Sequence, residues 1–171
     1  MIGTPSQWVV EHAPLIREGG RVLDLACGSG RHAIWLAGQG YQVDAVDRDA
    51  QVVVAMQAMP NISVSITDIE TGDWPETDQR YDGIVVSRYL FRPLLKTLAG
   101  MLNPDGVLIY ETFMLGNERY GRPSNPDYLL QPDELNLVYA PLLKIYAFEQ
   151  GKVDDPVPAV MQRICAINSQ A

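Results

Sequence analysis

The sequence predicts a three-layer α/β domain built on a mostly parallel sheet, and three observations carry that reading. Apolar runs of strand length alternate with stretches of helical character through five units. The first run stops at a glycine turn that opens a helix, and a right-handed parallel crossover needs a helix between its strands. The chain has 171 residues, 47% of them hydrophobic, which suits one domain with its own core.

The elements follow in order. Trp8-Val9-Val10 begins a short helix, so residues 1–20 read as an N-terminal helical cap. Arg21 to Ala26 is the first strand and ends in Cys27-Gly28-Ser29-Gly30. Arg31 to Ala37 is helical and stops at Gly38 and Gly40. Tyr41 to Asp47 alternates as strand two. A helix over Asp49 to Met59 starts at Asp49 as N-cap and stops before Pro60. Ile62 to Thr67 is strand three, Gly72 to Gln79 a polar acidic loop around Trp74, and Tyr81 to Ser87 strand four. Pro93 opens the next helix, Asn103-Pro104-Asp105-Gly106 is a turn, and Val107 to Thr112 is strand five. Residues 113–132 carry little secondary-structure signal, and a loop that long in a compact domain is usually functional, so they read as a lid. Glu134 to Ala140 is a short helix. Leu142 to Gln150 and Val160 to Asn168 both alternate and read as an antiparallel hairpin at the sheet edge.

Composition excludes several classes of function. A formal net charge of −8 weighs against a chain built to coat nucleic acid. No apolar run approaches the roughly 18–20 residues of a membrane span. Cys27 and Cys165 make no disulfide framework. His12 and His32, the only histidines, have no ligand spacing with them, so no metal site is expected. The N-terminus lacks the basic and apolar regions of a signal peptide. The expectation is a soluble cytoplasmic protein with a small-molecule substrate, without nucleic-acid or membrane partners, and with homo-oligomerisation left open.

In open α/β sheets ligands bind beyond the carboxyl ends of the strands. Gly28 and Gly30 stand there between strand and helix, where a backbone without Cβ lets a ligand approach. Two ligand types compete. Gly28, Gly30 and Ala33 satisfy a dinucleotide fingerprint. Asp24, four residues before the first glycine, suits an ammonium and a sulfonium better than two phosphates. Arg31 could pair with the carboxylate of the same amino-acid group. Asp47, closing strand two, can accept both hydroxyls of a ribose. Asp68 can accept from an exocyclic adenine amine while Ile69 packs on the ring.

VLDLACGSGRHAIWLA, then AVDRD, then TDIE, resembles the class I S-adenosylmethionine-dependent methyltransferases, and within them the small tellurite-resistance-like branch. The resemblance implies a Rossmann-like methyltransferase fold, a seven-stranded sheet with one antiparallel strand. It implies S-adenosylmethionine as cofactor and S-adenosylhomocysteine as product. It places Asp24 and the turn Ala26, Cys27, Gly28, Ser29, Gly30 and Arg31 at the methionine part and Asp47 at the ribose, with Arg48 also on the cofactor. Asp68 and Ile69 fall at the adenine, and Ser87 and Arg88 flank the cofactor, whose outer side the N-terminal helix caps. The segment after strand four reads Ser87-Arg88-Tyr89-Leu90 and lacks the N-P-P-Y type signature of nucleic-acid amino methylation.

For the acceptor the candidates are Tyr89, Arg92, Arg119 and Arg122. With Arg88 and Lys96 these arginines make a locally basic stretch on an acidic chain, which suggests an anionic molecule. Tyr89, Glu111 and Tyr120 are candidate catalytic groups, should the nucleophile need to lose a proton. Two other readings remain open: an NAD(P)-dependent oxidoreductase, and a non-catalytic S-adenosylmethionine-binding protein. The ribose reading is checked by calorimetry. Asp47→Ala is expected to weaken S-adenosylmethionine binding by about 1.5–3 kcal/mol, the loss of charge-assisted hydrogen bonds, and unchanged affinity removes Asp47 from the site.

Overall fold

The computed structural model describes residues 2–71, 74–75 and 78–170. The strands are β1 (Arg21–Leu25), β2 (Gln42–Asp47), β3 (Ile62–Ile66), β4 (Tyr81–Ser87), β5 (Leu102–Phe113), β6 (Lys144–Val153) and β7 (Ala159–Ile167). The α-helices are α1 (Gln7–His12), α2 (Arg31–Gly38), α3 (Ala50–Val53), α4 (Leu95–Gly100) and α5 (Glu134–Tyr139). All seven strands form one sheet in the order β3-β2-β1-β4-β5-β7-β6. β1 to β5 pair in parallel, and β7 runs antiparallel to both neighbours, so one strand is reversed. The order reverses at β1, which places the crevice of an open α/β sheet over the ends of β1 and β4.

The period of two sorts each strand onto two faces. Leu23, Leu25, Ile84, Val86, Leu108 and Tyr110 pack in one core with α4 and α5. Val22, Val85, Val107 and Ile109 pack in the other, under α1 and α2. Asp24, between Leu23 and Leu25, therefore faces the α2 side. Trp8 is buried and its indole N–H donates to Ile164 O at 3.2 Å, which pins α1 to β7.

Three expectations need correction. The helix over Asp49 to Met59 is four residues of α3 followed by a 3₁₀ turn, Val54–Met56. Asp49 caps it by accepting from Gln51 N–H at 2.9 Å. Val52-Val53-Val54 then stiffens the backbone against further helix, since β-branched side chains lose χ1 freedom there. The turn at Asn103 to Gly106 does not precede strand five but interrupts it. Leu102 pairs with Tyr81 and Val107 with Gly83, and the residues between bulge outward with Asp105 at φ 63°. The loop over 113–132 is also more ordered than its sequence suggests. It contains 3₁₀ turns at Asn117–Arg119 and Pro126–Tyr128, a bridge between Met114 and Leu130, and a buried Leu129-Leu130 pair. Half of the predicted acidic loop, Gly72, Asp73, Glu76 and Thr77, lies outside the described residues.

Gly30 has two requirements. Its φ is 82°, and a Cβ there would stand 2.0 Å from Met56 Sδ in the core. Gly28, at φ 54°, faces open space. Gly30→Ala is expected to lose about 1–3 kcal/mol by chemical denaturation, from strain and overpacking together. Gly28→Ala should lose less, from strain alone.

Candidate functional site

Two cavities open at the carboxyl ends of the strands. The first, of about 490 Å³, lies at the ends of β1, β2 and β3 and is lined among others by Ala26, Asp47, Arg48, Asp68, Ile69 and Tyr89. The second, of about 390 Å³, lies toward β5 and β7 and is lined by Arg31, Glu111, Tyr120, Arg122 and Arg163, with residues 4–7 on one side. Arg88 and Phe113 line both. Ala26 and Arg88 follow neighbouring strands, and both hold left-handed backbones, φ 53° and 56°. Non-glycine residues rarely adopt that region, and such strain gathers at functional sites.

The glycine turn is held by the next strand. Cys27 N–H donates to Val46 O at 3.0 Å, and Gly28 N–H donates to Asp47 Oδ2 at 2.8 Å. The other Asp47 oxygen accepts from Asp49 N–H at 3.0 Å. Asp68 Oδ1 accepts from Glu70 N–H at 3.0 Å, which shapes the loop that carries Ile69. Ser29 is at the exposed tip of the turn. Asp24 lines neither cavity and is 1% exposed. Burial pushes its carboxyl up to about 7, against a backbone hydrogen bond from Ala33 and the charge of Arg31, with Asp47 adding to the rise. Its Oδ2 is buried without a hydrogen-bond partner among the described residues.

A polar rung crosses the sheet beside the second cavity. Ser87, Glu111, Arg163 and Glu149 are register partners across β4, β5, β7 and β6. Ser87 Oγ donates to Glu111 Oε1 at 2.9 Å and accepts from Arg31 Nη2 at 3.1 Å. Arg163 Nε stands 3.3 Å from Glu111 Oε2, an ion pair rather than an aligned hydrogen bond, and Arg163 Nη1 donates to Glu149 Oε1 at 3.3 Å. Glu111 is 2% exposed, so its charge is balanced inside the protein. Arg31 and Arg88 are close enough that burial, and then the charge of Arg88, lower the Arg31 pKa. Among the described residues neither the Arg88 nor the Arg122 guanidinium makes a hydrogen bond or an ion pair.

The predicted acceptor residues separate. Arg122 and Tyr120 line the second cavity. Arg92 does not. It donates to Glu134 Oε1 at 2.6 Å, Asp127 O at 2.9 Å and Leu129 O at 2.8 Å, and so anchors the far limb of the 113–132 loop. Arg119 is exposed and lines neither cavity. Tyr89 is on the first cavity, and its hydroxyl donates to Glu70 Oε1 at 2.7 Å. Burial and Glu70 push that phenol up, which makes it a poor base. Burial, then Asp24 and Asp47, likewise push the Cys27 thiol up, the reverse of what a neighbouring helix start would do. Residues 4–7 wall the second cavity. Arg163 was missed. The available signal was a lone cation between Met161 and Cys165 on one face of an alternating strand. No helix among the described residues is long and apolar enough to cross a membrane, and no group of three or more His, Cys, Asp or Glu among them could hold a metal ion.

The profile of the family described as tellurite resistance protein TehB matches residues 3–101. The chain is 28% identical over 169 residues to a tRNA U34 carboxymethyltransferase of Methylococcus capsulatus, an alignment covering 88% of this chain and 50% of that protein. The curated relatives it matches are covered over 46%, 60% and 50% of their own length, so the chain spans about half of each. Its fold is similar to TehB from Haemophilus influenzae, with a TM-score of 0.77 and 20% identity over 96% of this chain and 62% of that one. It is also similar to a TehB-like S-adenosylmethionine-dependent methyltransferase from Corynebacterium glutamicum, with a TM-score of 0.67 and 18% identity over 94% and 86%.

Proposed function

The chain belongs to the family of the tellurite resistance protein TehB, and from that premise we propose that it is an S-adenosylmethionine-dependent methyltransferase acting on a small anion. The observation that carries the acceptor is the second cavity. Arg31, Arg88, Arg122 and Arg163 line it against Glu111 and Asp155, and two of the four guanidiniums are unpaired among the described residues. Like charges gathered on one concavity lower their repulsion by binding an anion.

The first cavity fits the cofactor on two grounds. Its volume is in the range of small-molecule sites. Carboxylates follow each of β2 and β3, where ribose hydroxyls and an adenine amine would be read by Asp47 and Asp68, with Ile69 against the ring. Asp24 lies outside the lining of that cavity; its buried oxygen lacks a donor among the described residues, which an ammonium reaching beneath the glycine turn would supply. Arg48 and Arg88 complete the surround, whereas Ser87 lines neither cavity. Bound there, S-adenosylmethionine supplies an electrophilic methyl on a positive sulfur and leaves as S-adenosylhomocysteine. The chain's part is to hold the nucleophile in line and to keep water out. Arg88 and Phe113, shared by both cavities, mark where the reacting groups would meet. Residues 113–132 act as the lid: Pro123 and Tyr128 line the first cavity, Tyr120 and Arg122 the second. Glu111 is the group placed to take a proton from an acceptor that must lose one.

The competing readings have less support. A pyrophosphate at the glycine turn would meet Asp47, which disfavours a nicotinamide cofactor. A non-catalytic binder would have no use for the arginine-lined second cavity.

Two outcomes test the reading. Asp24 is neutral below about pH 7 in the free protein, and an adjacent ammonium favours its ionised form. Cofactor binding therefore releases a proton in acid, and calorimetric affinity should rise with pH to a plateau near 7. Asp24→Asn should remove that rise. Arg122→Ala should leave cofactor affinity nearly intact and cut transfer to the acceptor by about 10–100-fold, the worth of one charged hydrogen bond. A collapse of cofactor affinity in that variant would assign Arg122 to the cofactor or the fold instead.

A further inference from the structure

His32 is buried, 3% exposed, on the first turn of α2, and the methyl-transfer reading gives it no task. Its Nε2 accepts from the backbone N–H of Ser6 at 3.1 Å, 26 residues away. Ser6 ends a short segment whose residues 2–4 are exposed and whose residues 4–7 wall the second cavity. Beyond Ser6 the chain enters α1, which Trp8 pins to β7. On the near side the only other hydrogen bond among the described residues is a long one, from Arg31 Nη1 to Thr4 O at 3.4 Å. Arg31 and His32 also follow directly on the glycine turn. One helix start thus joins the cofactor-side turn to the wall of the acceptor cavity.

We propose that His32 is a positioning residue that latches residues 2–6 as the closing wall of the acceptor cavity and so sets the size of anion it admits. This rests on the second cavity being the acceptor site. The latch needs a neutral imidazole with its proton on Nδ1. The charged groups facing it are Arg31 on its own helix and Arg88 after β4. Burial, and then those two charges, hold its pKa down to about 3, so Nε2 remains an acceptor through the neutral range.

The experiment compares wild type, His32→Ala, His32→Gln and Ser6→Pro. Ser6 has φ −62°, which proline adopts, so that variant removes the donor without opening the core. Hydrogen exchange at Val10, whose N–H donates to Ser6 O at 3.0 Å, reads the latch without any ligand. Calorimetry reads the affinity of inorganic phosphate for the protein loaded with S-adenosylhomocysteine, and S-adenosylhomocysteine affinity separately. In His32→Ala and in Ser6→Pro, exchange should rise by about three- to tenfold, the loss of one hydrogen bond. Phosphate affinity should fall by a similar factor while S-adenosylhomocysteine affinity is unchanged. The double variant His32→Ala/Ser6→Pro should add little beyond either single change. His32→Gln, whose side-chain oxygen can accept, should recover part of both signals. Unchanged exchange in the two latch-breaking variants overturns the latch. Phosphate and cofactor affinities that fall together overturn its confinement to the acceptor side. Phosphate that fails to bind the wild-type protein overturns the anion site that the wall encloses, and exchange alone still decides whether His32 holds the segment.

Discussion

The buried ion pair between Glu111 and Arg163 constrains more of this molecule than any other contact. A carboxylate 2% exposed must be balanced within the protein. Its balance comes from one rung that four strands share, Ser87, Glu111, Arg163 and Glu149. Side chains alternate with a period of two, so a one-residue slip of β7 against β5 would turn Arg163 to the opposite face and leave Glu111 uncompensated. The rung thus fixes the register of the reversed strand. Through Ser87 and Arg31 it reaches α2 and the glycine turn. The floor of the second cavity is in this way tied to the rim of the first.

The first cavity depends on a different balance. Gly28 N–H bonds Asp47, and Cys27 N–H bonds β2, so the turn is shaped before any ligand arrives. Preorganisation of that kind reduces the ordering cost of binding. The cost is instead borne at Asp24, whose burial raises its carboxyl to about 7 despite the nearby charge of Arg31. The same burial quiets the side chains whose chemistry would compete, the Cys27 thiol and the Tyr89 phenol.

Local pattern made most of the fold legible. The central strands were readable because they are short, mostly apolar runs, and β2, β3 and the β6–β7 hairpin because their residues alternate. The glycine turn and Asp47 were readable because they stand at fixed offsets within one βαβ unit. What failed was context. A run of three valines shortened α3 in favour of a turn that delivers Met56 to Gly30. The 113–132 loop looked unstructured because its order comes from distant partners. Asn117 accepts from Val160 N–H, and Arg92 holds Asp127 and Leu129 through their carbonyls.

The arginines show where the division falls. Composition revealed a basic stretch, but not which cations share a cavity. Arg92, inside that stretch, ties down a loop, while Arg163, far outside it, lines the second cavity. The sequence by itself determined the strand–helix order, the glycine turn and the carboxylates that close or follow the strands, because those depend on neighbours within a few residues. Only the tertiary structure decided the company of each charge. Burial and pairing depend on which strands lie side by side, and that order, β3-β2-β1-β4-β5-β7-β6, joins residues far apart along the chain.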